Sequence, residues 1–404
     1  MMSLRKFLDK IKPNFEEGGK FHWLYSTYDA VETFLYVPNT TSKSGVHIHD
    51  ARDSKRTMVI VILALIPALL MGMYNVGYQH YLAVNAQVGF METFLYGLLA
   101  TLPQIVVSYA VGLGIEFAMA QMKKEEVAEG FLVSGLLIPM VMPIDTPLWM
   151  IALSTAFAVI LAKEIFGGTG YNIFNVALMA RAFLFFSYPS KMSGDQVWVR
   201  TKDTFGMGGG TVVDSYSGAT PLGELAVTDV PRFADFSFSG ITGEPLKLWD
   251  MFVGLIPGSI GEVSTLAILL GAVLLIVTNV GSWKTMLSVF LGGLFTITIV
   301  NLLAQNAVMG MPPQYHFLLG GFAFGAVFMA TDPVTSARTE KGKWIFGFLI
   351  GMVAILIRVF NPGFPEGMML SILFMNAFAP LIDFYVIDAN IKRRLKRAAV
   401  KMKQ

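Results

Sequence analysis

No cysteine occurs in the 404 residues of this chain. That excludes structural disulfides, thiolate-ligated iron–sulfur clusters and thiolate zinc sites within it. Charge is scarce as well. Asp, Glu, Lys and Arg together make up 14% of the residues, where an ordinary soluble domain carries about 25%. The five histidines are scattered, and His47 and His49 fall in a polar stretch that reads as loop rather than as metal ligands. No strand–GxGxxG–helix unit is present, so nicotinamide chemistry belongs elsewhere. Residues 1–17 are amphipathic and charged, without the apolar core and small-residue end of a cleavable signal peptide.

What fills the chain instead is apolar. Hydrophobic residues make up 54%, with a mean hydropathy of +0.59. Ten apolar segments can be read, at 57–78, 94–121, 127–143, 147–166, 172–189, 264–282, 284–304, 315–330, 343–361 and 366–386. A full span takes about 20 apolar residues. The third and eighth are short and interrupted by Gly and Pro, which predicts half-helices or broken helices. Short loops 79–93, 143–147, 305–314 and 361–366 contain neither Lys nor Arg. The intervening loops hold Lys123 and Lys124, then Lys163, then Lys284, then Arg338, Lys341 and Lys343, and both termini are basic. That alternation fits the positive-inside rule for ten spans in a bacterial inner membrane with both ends cytoplasmic. Loop 190–263 is too long for the rule, and parity puts it outside. The tail Lys392, Arg393, Arg394, Lys396, Arg397, Lys401, Lys403 reads as a solvated helix end on the membrane surface rather than a nucleic-acid footprint.

The chain also repeats itself. Phe131-Leu132-Val133-Ser134-Gly135, leading to Asp145-Thr146-Pro147, echoes Phe317-Leu318-Leu319-Gly320-Gly321, leading to Thr331-Asp332-Pro333. Phe166-Gly167-Gly168 before Met179-Ala180-Arg181-Ala182-Phe183 echoes Phe360-Asn361-Pro362-Gly363 before Phe374-Met375-Asn376-Ala377-Phe378, and Asn75-Val76-Gly77 echoes Asn279-Val280-Gly281. These echoes map spans 1–5 onto spans 6–10. An odd number of spans per half makes the halves face opposite ways, the inverted repeat of many transport proteins. The predicted fold is thus an all-α polytopic membrane protein of two inverted five-helix repeats with broken helices 3 and 8. Its parts are a cytoplasmic amphipathic segment 1–56, a first repeat 57–189, an external loop 190–263, a second repeat 264–386 and a basic cytoplasmic tail 387–404.

The sharpest motif is Asp214-Ser215-Tyr216-Ser217-Gly218-Ala219-Thr220, after the run Gly208-Gly209-Gly210 in the external loop. On physics alone it is a Ser/Thr-rich turn able to present a hydroxyl. It resembles the Asp-x-x-Ser/Thr-Gly-Ala-Thr/Ser signature read by the periplasmic flavin transferase, which moves the FMN part of FAD onto the final hydroxyl as a phosphodiester. The match makes Thr220 the acceptor, with Asp214, Ser217, Gly218 and Ala219 as its context.

Other segments extend the resemblance. Gly18-Gly19-Lys20 before Trp23-Leu24-Tyr25, Glu129-Gly130-Phe131, Ala162-Lys163-Glu164-Ile165-Phe166-Gly167-Gly168-Thr169-Gly170, Ile256-Pro257-Gly258-Ser259-Ile260-Gly261-Glu262, Ala330-Thr331-Asp332-Pro333 and Pro365-Glu366-Gly367-Met368-Met369 are similar to the B subunits of sodium-pumping NADH:quinone oxidoreductases. Their paralogue, the D subunit of the Rnf ferredoxin:NAD oxidoreductases, shares the membrane core and flavin motif but usually lacks the long N-terminal segment. Residues 1–56 therefore favour the quinone-reducing family. The glycine-rich run between Trp198 and Asp214 is longer than the family pattern, which bears on the approach to the flavin loop.

The resemblance implies covalent FMN on Thr220, noncovalent riboflavin, reduction of ubiquinone or menaquinone near the cytoplasmic face, and Na⁺ export. NADH oxidation would belong to a partner flavoprotein, alongside an FMN-carrying subunit and small iron–sulfur membrane subunits; membrane lipid is the other partner. Asn172 and Asn175 either satisfy riboflavin or, through Asn172, cap a helix. Arg181 serves flavin anion or a carboxylate, or is a structural ion pair. Trp23, Glu129, Gly130 and Phe131 are quinone candidates, with interfacial anchoring as the other reading for Trp23 and Phe131. Glu116, Asp145, Glu164, Asp332, Glu366 and Asp383 are acidic residues at membrane depth, some of which cap helices or pair with Lys163 or Arg358. An ion path is expected where spans 3 and 8 meet, at Gly135, Pro139, Gly320, Gly321 and Gly325, with Phe322, Phe324 and Phe328 as an apolar constriction and Asp383 near its end. No residue of this chain is expected to be catalytic in its own right, and no metal site is expected. The rival class is a passive ten-span channel similar to urea or ammonium transporters, which would have no use for a flavin-acceptor motif.

Overall fold

A computed structural model describes residues 4–16, 18–36, 44–46, 54–125, 127, 130–213 and 216–401. His47, His49, Glu129 and Asp214 lie outside the described residues. Among the described residues the regular structure is helical, apart from isolated bridges at Thr204–Met207 and Ser239–Pro245.

Helices α1 (Leu4–Ile11) and α2 (Tyr25–Leu35) form a small N-terminal unit. Tyr28 donates to the Leu8 carbonyl at 3.0 Å and stacks on Phe15, and Lys12 pairs with Glu32 at 2.9 Å. That pairing holds the Lys12 ammonium above its ordinary pKa. The first half of the membrane core contains α3 (Ser54–Ala83), α4 (Phe90–Lys123), α5 (Phe131–Met140), α6 (Leu148–Phe157) and α7 (Val176–Ser187). A π-helical turn, Ala158–Lys163, and a 3₁₀ turn prolong α6 to Phe166. Only short helices follow, α8 (Pro189–Met192), α9 (Pro221–Ala226) and α10 (Leu248–Val253). The second half contains α11 (Thr265–Val277), α12 (Trp283–Leu302), α13 (Pro313–Leu318), α14 (Phe322–Phe324) running into π-helical Gly325–Met329, α15 (Glu340–Phe360) and α16 (Met368–Lys401).

Side chains run opposite to a soluble protein. Leu270, Val273 and Val277 of α11 and Leu291, Phe295 and Leu302 of α12 face outward, while Asn75, Gln104, Arg181 and Arg358 are buried. Lipid-facing helices have no apolar drive to associate, so small residues carry the packing. Gly97 of α4 lies so near the Met73 carbonyl of α3 that a Cβ would sit 1.7 Å from it, and Gly351 of α15 approaches the Val289 carbonyl of α12 to 2.0 Å in the same sense. Hydroxyl and amide caps start the helices: Asn175 for α7, Ser264 for α11, Ser282 for α12 and Thr339 for α15.

The expectation of ten spans, with the third and eighth broken, meets a more uneven set. Among the described residues six helices are long and apolar enough to cross a membrane: α3, α4, α6 with its prolongation, α12, α15 and α16. Three more, α5, α7 and α11, are apolar but shorter. The apolar stretch 127–143 becomes only the ten residues of α5, and 315–330 is cut at Gly320–Gly321.

All four short loops without Lys or Arg gather on one end of the bundle, under the long loop. Val213 donates to the Ala83 carbonyl, Asp145 pairs with Lys202 at 3.1 Å, Ala307 and Met311 share an apolar cluster with Phe233 and Phe238, and Phe364 shares a cavity with Thr220. Basic loops meet at the other end, where Lys123 pairs with Glu164 and Lys284 with Glu340. The N-terminal unit sits at that end too, with Thr27 against Gln121 of α4.

Candidate functional site

Thr220 is the N-cap of α9: its Oγ1 accepts from the Gly223 amide at 3.1 Å, and Pro221 starts the helix. Extended backbone at Thr220 (φ −69°, ψ 151°) hands the chain from the motif into that turn. Gly218 allows the close packing just before it, because a Cβ there would lie 2.5 Å from the Asp195 carbonyl and 2.6 Å from the Tyr216 hydroxyl. Burial pushes the Tyr216 phenol up to about 12, with Asp195 and Asp145 adding to the shift, so it stays neutral at physiological pH. Thr220, Ser217 and Ala219 lie on the wall of a cavity of about 490 Å³, whose apolar side is Phe185, Trp198 and Phe364.

A buried ionic cluster lies below. Arg181 of α7 donates through Nη1 to both oxygens of Glu262, at 2.9 and 3.0 Å, and through Nη2 to Glu366. Ser259 donates to Glu262 at 2.6 Å. Arg181 is thus paired with two carboxylates. Glu262 and Glu366 also flank a void of about 20 Å³ beneath Thr220. Glu262 sits 81 positions along the chain from Arg181, so no local pattern points to it; its signal is only a carboxylate in a glycine-rich turn ahead of an apolar run.

At the basic end a second cavity, about 320 Å³, is lined by Gly130, Ser134, Lys163, Thr169, Asn172, Asn175, Phe328 and Asp332, among others. Asn175, not Asn172, is the helix cap: its Oδ1 accepts from the Leu178 amide at 3.2 Å and its Nδ2 donates to Asp332 at 3.2 Å. Asn172 instead donates to the Phe174 carbonyl at 3.1 Å. Lys163 is buried and paired with Glu116 of α4. Glu116 is one of the acids expected at membrane depth; its pairing partner is the lysine that closes the π-helical turn.

The remaining expected residues scatter. Trp23 is two-thirds exposed (66%) on the N-terminal unit. Phe131 is 1% exposed and fills the notch left by Gly112, a Cβ of which would lie 1.9 Å from the ring. It is a core residue, which corrects the reading of it as an interfacial anchor. Gly135 is inside unbroken α5. Phe322 packs on Phe290 and Phe317, whereas Phe324 contacts Phe328 at 5.1 Å. Asp383 is elsewhere, accepting from the Arg338 and Thr339 amides at 2.7 and 3.0 Å at the start of α15. So Gly130, Asn172, Asn175 and Phe328 come together, while Trp23, Phe322 and Asp383 do not join them. Among the described residues no group of three or more His, Asp or Glu is arranged to hold a metal.

The NQR2, RnfD, RnfE family profile matches residues 41–392. The chain belongs to that family. Relatives described as the B subunit of Na(+)-translocating NADH-quinone reductase include a Stutzerimonas stutzeri protein, 45% identical over 98% of this chain and 100% of its own length. Others come from Chromohalobacter salexigens, 43% identical over 98% and 97%, and Neisseria meningitidis serogroup A, 42% identical over 98% and 100%. These matches extend past the family profile into the N-terminal unit.

Proposed function

We propose that this chain is the membrane subunit of a Na⁺-translocating NADH:quinone oxidoreductase that carries FMN on Thr220 and takes part in passing electrons to quinone while Na⁺ is exported. The observation that carries this reading is where the acceptor motif ends. Thr220 stands on the wall of a cavity of about 490 Å³, within the range of about 300–1,000 Å³ typical of ligand sites. Trp198, Phe185 and Phe364 offer flat apolar surface for a ring system, and the Thr220 hydroxyl stands at its edge. Such a group fits, and when bound it supplies one- and two-electron transfer. The protein side chains then orient it: Gly218 and Pro221 fix the Thr220 backbone, and the aromatic wall excludes water.

The cavity at the basic end suits the second, noncovalent flavin, with Asn172, Thr169 and Ser134 as polar contacts and Gly130 allowing close approach of a flat ring. In this reading that end is cytoplasmic, the Thr220 cap is external, and quinone approaches near the N-terminal unit. The two halves form an inverted repeat. Its support is a crossed brace: Arg181 of α7 reaches Glu366 just before α16, while Asn376 of α16, the echo of Arg181, lies against the Asn175 backbone amide at the start of α7 and accepts from it once its side-chain amide is turned over.

The test is mass spectrometry of the Thr220 peptide from cells that contain the flavin transferase. An added FMN mass, and loss of in-gel flavin fluorescence with Thr220→Ala, are expected. An unmodified peptide sinks the reading. Orientation is checked with single cysteines in this cysteine-free chain: Asp229→Cys should react with an impermeant thiol reagent only from outside, and Lys124→Cys only from the cytoplasm.

A further inference from the structure

Backbone carbonyls freed by a broken helix are what a dehydrated cation uses in a membrane. This chain has such a break. Gly320 and Gly321 both adopt positive φ, +65° and +66°, and separate α13 from α14. Beyond the Tyr315 carbonyl, which the Leu319 amide still reaches at 3.0 Å, the last carbonyls of α13 lack an i+4 helical donor, in a region where unpaired carbonyls are costly. No site for a passing cation is left there, because the cage is filled from within. Arg358 of α15, 2% exposed, donates through Nη1 to the His316 carbonyl at 2.6 Å. Its Nη2 reaches the carbonyls of Leu319 at 3.1 Å, Gly320 at 3.4 Å and Glu366 at 3.0 Å, and Nε also reaches Glu366 at 3.3 Å. Its direct hydrogen-bond partners among the described residues are carbonyls, and the Glu366 carboxylate, bonded to Arg181, adds an attractive charge nearby. Phe322, whose ring lies 5.9 Å from the guanidinium, closes one side. The Arg181–Glu262–Glu366 cluster adjoins the cage through Glu366, whose carbonyl serves Arg358 and whose carboxylate serves Arg181.

We infer that Arg358 is a resident cation: it occupies the carbonyl cage opened by the break at Gly320–Gly321 and seals the flavin-cap end of the bundle against passive flow of the transported cation. The inference rests on the translocation reading above. Arginine suits this role because its charge is permanent and its planar fork bonds several carbonyls at once. A Na⁺ ion arriving from the basic-end cavity meets a fixed like charge where free carbonyls would otherwise bind it. The cage therefore belongs to the barrier and not to the conducting path.

The experiment uses the intact complex in proteoliposomes, first without NADH or quinone. An inward Na⁺ gradient is imposed and uptake of radioactive sodium is followed for wild type, Arg358→Gln and Arg358→Lys. Covalent flavin fluorescence of the chain confirms assembly, and trapped glucose reports non-selective holes. Arg358→Gln is expected to raise sodium influx about tenfold or more without glucose loss. Arg358→Lys keeps the charge but bonds fewer carbonyls, so about a threefold rise is expected. Assembled variants as tight as wild type overturn the inference, as does a leak that passes glucose equally. Should the glutamine variant fail to assemble, the lysine variant alone decides, and sodium influx equal to wild type overturns it. A wild-type complex that oxidises NADH without building a Na⁺ gradient instead refutes the translocation reading, whatever the variants do.

Discussion

Phe131–Met140 and the stretch from Phe317 to Met329 open on similar residues, yet the first is one unbroken helix and the second is cut at Gly320–Gly321. A single glycine, Gly135, stands in the first, preceded by Ser134; in the second that pair is Gly320–Gly321. One glycine inside a helix is tolerated, whereas two in succession let the chain enter the left-handed region, which residues with a Cβ rarely adopt. The donors differ accordingly. In α5 the Gly135 and Leu132 carbonyls accept from Ser108 at 2.9 Å and Tyr109 at 2.5 Å, neutral hydroxyls of α4. The Leu132 carbonyl also has the Leu136 amide of its own helix, so Tyr109 is a second donor there. The Gly135 carbonyl faces Pro139, which has no N–H, so Ser108 supplies the donor that the helix lacks. In the second half Arg358 is the donor to carbonyls that have none. Breaking a helix thus changes what its neighbour must be: a hydroxyl suffices beside the intact helix, and a buried cation answers the broken one.

The largest effect should come from removing that cation's side chain altogether. Arg358→Leu orphans at least the His316 and Leu319 carbonyls, at about 1–3 kcal/mol each. A loss on the order of 3–5 kcal/mol is expected, read as thermal unfolding of the detergent-solubilised complex by intrinsic fluorescence. A loss under about 1 kcal/mol would show that water or a relaxed backbone satisfies the break. The glycines give the intermediate effect. Gly321→Ala puts a Cβ at φ +66°, 2.7 Å from the Glu262 carboxylate that holds Arg181. Backbone strain alone is about 1–2 kcal/mol. Gly135→Ala crowds only the Tyr109 and Phe131 rings, at 2.8 and 3.0 Å, and gains up to about 1 kcal/mol of helix propensity. Gly321→Ala should therefore be the worse by about 2 kcal/mol, and equal melting temperatures would erase the distinction between the two regions.

Much of the frame was legible in the chain. The absence of Lys and Arg from alternate loops sorted those loops, and the structure gathers the same four on one end. Gly and Pro interruptions predict breaks in both the third and the eighth stretch, and only the eighth is cut, at Gly320–Gly321, while α5 runs unbroken. What stayed hidden depends on tertiary geometry. Arg181 meets carboxylates 81 and 185 positions away, and no periodicity encodes that. Asn172 and Asn175 are both plausible caps by type, and only the backbone's turn into α7 decides for Asn175. Phe131 reads as interfacial by position, but Gly112 on α4 leaves a notch that only the packed pair reveals. The motif ending at Thr220 carried a chemical meaning through resemblance, while the cavity beside it joins segments as distant in the chain as Phe185 and Glu366 and needed the fold.

The smallest effect tests the first half on its own terms. Tyr109→Phe removes the hydroxyl that donates to Leu132 and leaves the ring in place against Phe131, whose centroid is 6.3 Å away. Leu132 keeps its place in the helical ladder of α5, so its carbonyl loses a second donor rather than its only one. The phenol itself leaves no orphan, because the phenyl ring has no polar atom. About 1 kcal/mol is expected, the net worth of an ordinary hydrogen bond. Ser108→Ala should cost somewhat more, about 1–3 kcal/mol, because Pro139 offers no amide to the Gly135 carbonyl, which is then left unpaired. The double substitution should be close to additive if the two hydroxyls act independently. A cost well above the sum would mean that the two hydroxyls together hold α5 intact, and that removing them lets Gly135 open as Gly320–Gly321 does. Amide hydrogen exchange across 131–140 separates these outcomes: protection unchanged in the double variant keeps the two regions distinct, whereas rapid exchange confined to 134–136 would make α5 a latent copy of the broken segment.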